Sequence, residues 1–204
     1  MNFQFLFKNT DMKEKMAKKN VFLDLDNTLI SAEYIKGFPF EKKGMREKAI
    51  QFALHDMDGY YIVFERPGVQ PFLDWLFENY IVSVWTAASK DYALFIIKQV
   101  LLTKLNRKLD YILCSYQCDI SHKKYNGDNK NLKLIYDVFE LPGYDKDNTI
   151  IIDDLNEVYE CQPKNCINIK AFEILDNGSE KDKELEKVKE KIKAIFKEKK
   201  NWNI

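Results

Sequence analysis

The chain has 204 residues, enough for one domain that buries about 70% of the surface its unfolded form exposes. Hydrophobic residues make up 46% and charged residues 31%, which excludes a disordered chain; lysine plus arginine (32) balance aspartate plus glutamate (32), so no net charge draws it to nucleic acid. No apolar run nears the ~18 residues of a membrane span, and Met1 to Phe7 is too short an apolar start for a secretory signal, so an intracellular protein, nuclear or cytoplasmic, with no membrane partner is expected.

A lysine-rich lead over residues 1–19 precedes a single domain expected over 20–200. Val21 to Leu25 is an almost wholly apolar run of the kind buried in a parallel sheet, and it ends in Asp24-Leu-Asp26-Asn-Thr28. Residues 31–49 carry no readable pattern. Phe52–Met57 and Tyr60–Glu65 are β-prone and meet at Asp58-Gly59, the pair a type I′ turn prefers, so a small β-hairpin insertion is placed at about residues 31–65. Val69 to Tyr80 has helical spacing, Ile81 to Trp85 is a strand ending at Thr86-Ala-Ala-Ser89, and Asp91 to Leu105 is a helix apolar nearly all round.

Tyr111 to Ser115 makes a third strand, Asn131 to Leu141 a helix, and Thr149 to Ile152 a fourth strand running into Asp153-Asp154. Ile167 to Ile169 is a short fifth strand, and residues 179–200 form an amphipathic helix with Leu185, Val188, Ile192 and Ile195 on one face. Strands alternating with helices predict an α/β fold, a Rossmann-like parallel sheet covered on both faces, which binds ligands beyond the carboxyl ends of its strands. Cys114, Cys118, Cys161 and Cys166 lack the CxxC spacing of a zinc cage and read as reduced thiols.

Three strand ends carry chemistry: Asp24 with Asp26, Thr86, and Asp153 with Asp154. Acids this close repel by roughly 4 kcal/mol at 4 Å near a protein surface, so a cation is expected among them, and oxygen donors favour Mg²⁺. Hydrolysis of a phosphate monoester needs a nucleophile, charge neutralisation and a proton donor together. Asp24 suits attack on phosphorus, Asp26 suits proton transfer, and Lys130, at the start of the helix before the fourth strand, can supply a cation, with Lys123, Lys124 and Lys133 as rivals. Thr86 and the N–H groups after it, Ala87 first, suit phosphoryl oxygens. His55 and His122 have no second ligand nearby in sequence, and the glycines are too scattered for a nucleotide loop.

Asp24-x-Asp-x-Thr28, a strand ending in Thr86, Lys130, and a strand ending in Asp153-Asp154 occur in the order that resembles the haloacid dehalogenase superfamily. Within it the wording is similar to the RNA polymerase II C-terminal-domain phosphatases, the NLI-interacting-factor-like or FCP1-homology family. Phe22–Leu29, Glu65-Arg-Pro-Gly-Val69, Ile81–Ala88, Lys130-Asn-Leu132 and Ile150–Asp154 carry that likeness. The stretch from Asn148 to Leu185 looks most like the branch that also carries a ubiquitin-like domain, though no such domain is expected among these residues.

The resemblance implies a Mg²⁺-dependent phosphoserine/phosphothreonine protein phosphatase working through an aspartyl-phosphate on a phosphorylated protein or peptide. It implies Asp24 as nucleophile, Asp26 as acid/base and backbone-carbonyl metal ligand, and Asp154 as the third metal ligand, with Asp153 behind it or in its place. Two other readings use the same fold: a phosphatase of nucleotides or nucleic-acid 3′-phosphates, against which zero net charge counts, and a non-catalytic binding module, against which the complete motif set counts.

Overall fold

The computed structural model describes residues 18–201; the lead, up to residue 17, lies outside them. In chain order the elements are β1 (Asn20–Leu23), β2 (Ile30–Tyr34), α1 (Met45–Ala49), β3 (Leu54–Met57), β4 (Tyr61–Glu65), α2 (Val69–Asn79) and β5 (Ile81–Trp85). They continue with α3 (Lys90–Ile96), β6 (Leu109–Leu113), α4 (Ser115–Lys124), β7 (Thr149–Asp153), α5 (Asn156–Glu160), β8 (Cys166–Asn168) and α6 (Glu184–Asn201). Five strands pair in parallel in the order β6-β5-β1-β7-β8, so β1 with its acids occupies the centre.

Strand alternation sorts the core into two layers. Val21 and Leu23 of β1, Val82 and Val84 of β5, and Ile150 and Ile152 of β7 face α2, α3 and α6, where Leu73, Ile96 and Val188 close the layer. Phe22, Trp85 and Ile151 point the other way, onto Cys118 of α4, Leu134, Ile135 and Val158 of α5. Each such apolar side chain, once buried, contributes about 1.5–3 kcal/mol from desolvation. Helices therefore cover both faces of the sheet, as the alternating pattern predicts.

The insertion is larger than a hairpin. β2, β4 and β3 form a separate antiparallel sheet in that order, with Ile30 opposite Glu65 and Met57 opposite Tyr61. The turn between β3 and β4 follows the Asp58-Gly59 expectation: both residues have positive φ (51° and 72°), and the Tyr60 N–H closes onto the Met57 carbonyl at 2.9 Å. One face of this sheet is sealed by Phe38, Phe52, Phe64, Phe172 and Ile174, a third apolar cluster. Residues 31–49 are thus β2, its following turns and α1, which sequence patterning left unassigned because β2 alternates only weakly and α1 is a bare five residues.

Several element boundaries differ from expectation. No helix runs from Asn131 to Leu141; only Leu134–Val138 makes one wide turn with i→i+5 bonding, because Leu132, Leu134 and Ile135 pack as a short apolar wedge. The helix expected over 91–105 begins at Lys90, widens in the same way over Ile97–Leu101 and stops there. β6 starts two residues earlier than expected and ends at Leu113, because Ser115 already opens α4. The terminal helix starts at Glu184, after a short turn at Ser179–Lys181. Among the described residues no helix is long and apolar enough to cross a membrane.

Candidate active site

Register places the motif acids side by side. Leu23 aligns with Val84 on β5 and with Ile152 on β7, and the Asp24 N–H extends that ladder to the Ile152 carbonyl at 3.0 Å. Asp24, Thr86 and Asp153 therefore leave the same edge of three neighbouring strands, the carboxyl end where parallel sheets bind ligands.

Lys130 is buried between two of them. Its ammonium donates to Asp24 Oδ1 at 2.5 Å and to Asp153 Oδ2 at 2.7 Å, and only 2% of the residue is exposed. The lysine comes from the loop after α4, not from a helix start as expected. That loop is fixed by its backbone: the Gln162 amide donates to the Lys130 carbonyl at 2.7 Å and accepts from the Leu132 N–H at 2.9 Å. Ser121 of α4 donates to the Asp128 carbonyl and accepts from the Asn131 N–H. Burial opposes the lysine's charge, yet the carboxylates of Asp24 and Asp153 outweigh it and hold the ammonium above its ordinary pKa.

The acids outnumber this cation. Carboxylate oxygens of Asp24, Asp153 and Asp154 lie within 4.8 Å of one another. Burial, then the Asp24 carboxylate, push the Asp153 carboxyl up to about 7 despite the lysine against it. The same two causes raise Asp154. Asp153 has both oxygens engaged, Oδ2 by Lys130 and Oδ1 by the Leu155 N–H at 2.9 Å. Asp154 accepts one long side-chain hydrogen bond, from the Thr28 hydroxyl at 3.5 Å. An all-oxygen donor set with surplus negative charge fits a hard divalent cation such as Mg²⁺.

Asp26 sits beyond this cluster, at an isolated bridge to Ile30, and its Oδ1 accepts a hydrogen bond from the Tyr92 hydroxyl on α3. Burial raises its pKa although the tyrosine bond opposes the rise. Asp26 and Tyr92 line an open cleft of about 450 Å³ with Ala32, Met57 and Tyr61 of the insertion and Ala88, Ser89 and Asp91 before and within α3. Thr86 is buried; its N–H bonds the Leu113 carbonyl at 3.0 Å and its Oγ1 accepts from the Ala88 N–H at 3.1 Å, which leaves the hydroxyl proton to be donated. Ala87 is exposed on the same turn.

The loop after Asp26 is held by a residue that sequence reasoning used only as a likeness. Arg66, 1% exposed, donates to the Thr28 carbonyl at 2.9 Å, to the Lys170 carbonyl at 2.8 Å and to both oxygens of Asp182 at 2.9 Å. Asn27 takes a left-handed φ of 57°, aiming its carbonyl at the Phe172 N–H, 2.7 Å away. Tyr92 and Gln162 were missed as well. Both meet the site only through the tertiary fold, and no local spacing marks them.

A parallel sheet whose central strand ends in a carboxylate, with a buried lysine and an acid cluster beside it, fits the class that the motif order resembles, the haloacid dehalogenase-like phosphatases. Among solved structures, fission yeast RNA polymerase II CTD phosphatase Fcp1 bound to beryllium fluoride shares the fold with a TM-score of 0.56 and 19% identity, over 91% of this chain and 52% of that one. The chain belongs to the NLI interacting factor-like phosphatase family, whose model it matches over residues 19–202. CTD phosphatase-like protein 355R of Invertebrate iridescent virus 6 is 45% identical over 179 residues, covering 84% of this chain and 96% of that protein. Human ubiquitin-like domain-containing CTD phosphatase 1 is 27% identical over 184 residues, 89% of this chain and 51% of that protein. The chain thus spans about half the length of the yeast and human relatives and nearly all of the viral one.

Proposed function

We propose that the chain is a Mg²⁺-dependent phosphoserine/phosphothreonine protein phosphatase that works through a phosphoryl group carried on Asp24. The observation that carries this reading is the buried Lys130 bridging Asp24 and Asp153 at the strand ends. A purely structural lysine has no reason to be desolvated against two acids that are themselves crowded by a third.

Asp24 attacks phosphorus through a carboxylate oxygen, and Asp26 gives its proton to the departing serine or threonine oxygen. Water then attacks the aspartyl-phosphate while Asp26 takes a proton from it, and the Asp24 carboxylate is regenerated. Lys130 holds Asp24 in place and offsets charge on the phosphoryl oxygens, for which the Thr86 hydroxyl and the Ala87 N–H are donors. The side chains of Asp24 and Asp154 and the carbonyl of Asp26 would hold Mg²⁺, which when bound neutralises a phosphoryl oxygen; Asp153, with both oxygens engaged, supports the site through Lys130.

A protein substrate is favoured by the cleft at Asp26, which the small insertion borders without roofing. Enclosing a small metabolite takes a larger cap. The names of the relatives, CTD phosphatase and CTD phosphatase-like protein, support an extended phosphorylated tail as the substrate form. The test is release of phosphate from phosphoserine and phosphothreonine peptides, nucleotides and a 3′-phosphorylated oligonucleotide, with Mg²⁺ or a chelator, by the native chain and Asp24→Asn. Peptide turnover that needs both Mg²⁺ and Asp24 is expected; a preference for nucleotides, or activity surviving Asp24→Asn, overturns the reading.

A further inference from the structure

Asp26 has one oxygen committed and one open. Its Oδ1 accepts the Tyr92 hydroxyl, and both residues border the cleft. Tyr92 is fixed independently of Asp26: its N–H caps onto the Ser89 hydroxyl at the start of α3, and its ring meets Tyr61 edge to face at 5.9 Å. Tyr61 in turn packs edge to face against Tyr34 at 6.0 Å, across the β2–β4 pair. A chain of rings thus runs from the outer edge of the insertion to the carboxyl group of Asp26.

We propose that Tyr92 is a positioning residue: braced by the insertion through Tyr61, it holds Asp26 Oδ1 and leaves Oδ2 as the oxygen that exchanges protons with substrate. The inference deepens the reading above and rests on Asp26 being the acid. In the forward step the proton leaves Oδ2 for the departing oxygen as its bond to phosphorus breaks and the bond from Asp24 forms. In the return step Oδ2 takes a proton from water as water oxygen bonds to phosphorus and the Asp24–phosphorus bond breaks. Tyr92 gives up no proton in either step. The three-stranded insertion therefore has a task beyond shaping the cleft, which is to orient the acid.

Leaving-group dependence tests this, because kcat/KM reports steps up to phosphoenzyme formation and a nitrophenolate leaves with little help from an acid, whereas a serine alkoxide does not. Tyr92→Phe keeps the ring and its packing and removes only the hydroxyl. With Mg²⁺ present we expect kcat/KM for a phosphoserine peptide to fall about tenfold, the worth of one well-placed hydrogen bond, and that for nitrophenyl phosphate by less than about threefold. Asp26→Asn should show the same selectivity at about 10²-fold or more. In the Asp26→Asn background Tyr92→Phe should add nothing, since its effect passes through Asp26.

An equal loss on both substrates, no loss on the peptide, or a full additive loss in the double variant overturns the role of Tyr92. If Asp26→Asn itself lacks the leaving-group signature, the assignment of Asp26 as the acid falls, and the role of Tyr92 falls with it. A selective Asp26→Asn beside an unselective Tyr92→Phe removes only the latter.

Discussion

Replacing Lys130 by methionine keeps the length of the side chain and deletes the ammonium lying 2.5 Å from Asp24 and 2.7 Å from Asp153. At an effective dielectric of about 20 each contact represents about 6 kcal/mol of gross attraction, most of it offset by desolvating the three charges. What survives is the cost of breaking a buried pair, about 3–5 kcal/mol. Asp153 limits the damage by taking up a proton, for its carboxyl already stands at about 7 with the lysine in place. A carboxyl raised above its unfolded value gives stability that is complete below that value and is lost as the pH rises through the folded pKa. Without Lys130 the folded pKa of Asp153 rises further, so the variant goes on losing stability after the native protein has stopped. Urea unfolding should therefore give a larger loss at about pH 8 than at about pH 6, reaching ~3 kcal/mol at the higher value. Phosphatase activity should fall by about 10³-fold, as expected when a preorganised cation is removed from the reacting centre. A loss below ~1 kcal/mol at the higher pH, or one independent of pH, refutes the reasoning about the buried pair.

Arg66→Met should destabilise by about 2–3 kcal/mol in chemical unfolding, since it strips a half-buried carboxylate and two loop carbonyls of their donors. Its partner predicts an acid limb. Burial alone would raise the Asp182 carboxyl, but the Arg66 guanidinium and the Glu184 N–H lower it below its ordinary value. The stability it supplies is therefore present above about pH 4 and lost on further acidification, and Asp182→Asn should flatten that part of a pH–melting curve. Gly59→Ala forces a side chain into φ +72°, where an added Cβ meets no atom within 4 Å, so the cost should be backbone strain alone, about 1 kcal/mol by thermal melting. Saturating Mg²⁺ at about 100 times its dissociation constant should stabilise the native chain by about 2.7 kcal/mol and have no such effect on Asp154→Asn. Acidification should weaken the ion's binding, because protons compete for the raised Asp154 carboxyl.

The parallel sheet was legible because its central strands are buried on both faces and read as unbroken apolar runs: Val21–Leu23, Ile81–Trp85 and Thr149–Asp153 emerge almost as drawn. The candidate site was legible at the ends of those runs for the same reason, since Asp24, Thr86 and Asp153-Asp154 interrupt apolar stretches where a charge or hydroxyl needs a purpose. Short elements were not. α4 has apolar residues on no consistent face, and its partner contacts come from Cys118 and Ser121 rather than from a stripe. α5 is five residues long, too brief for a period to register. Lys130 could be chosen over Lys123, Lys124 and Lys133 only by likeness; the structure alone places it against two acids, through a loop pinned by Gln162 from 32 residues away. Tyr92 fell in a helix whose apolar surround invited a core reading, yet its hydroxyl ends on Asp26.

The central claim is that Asp24 carries the phosphoryl group. Its most direct test is mass spectrometry of the chain quenched in acid after brief mixing with nitrophenyl phosphate and Mg²⁺, in the native protein and in Asp26→Asn, which should form the intermediate from this good leaving group but break it down slowly. The account predicts one phosphoryl group mapped to Asp24, more abundant in Asp26→Asn and absent from Asp24→Asn. Phosphate release with no covalent adduct in any variant, or an adduct on another residue, contradicts it.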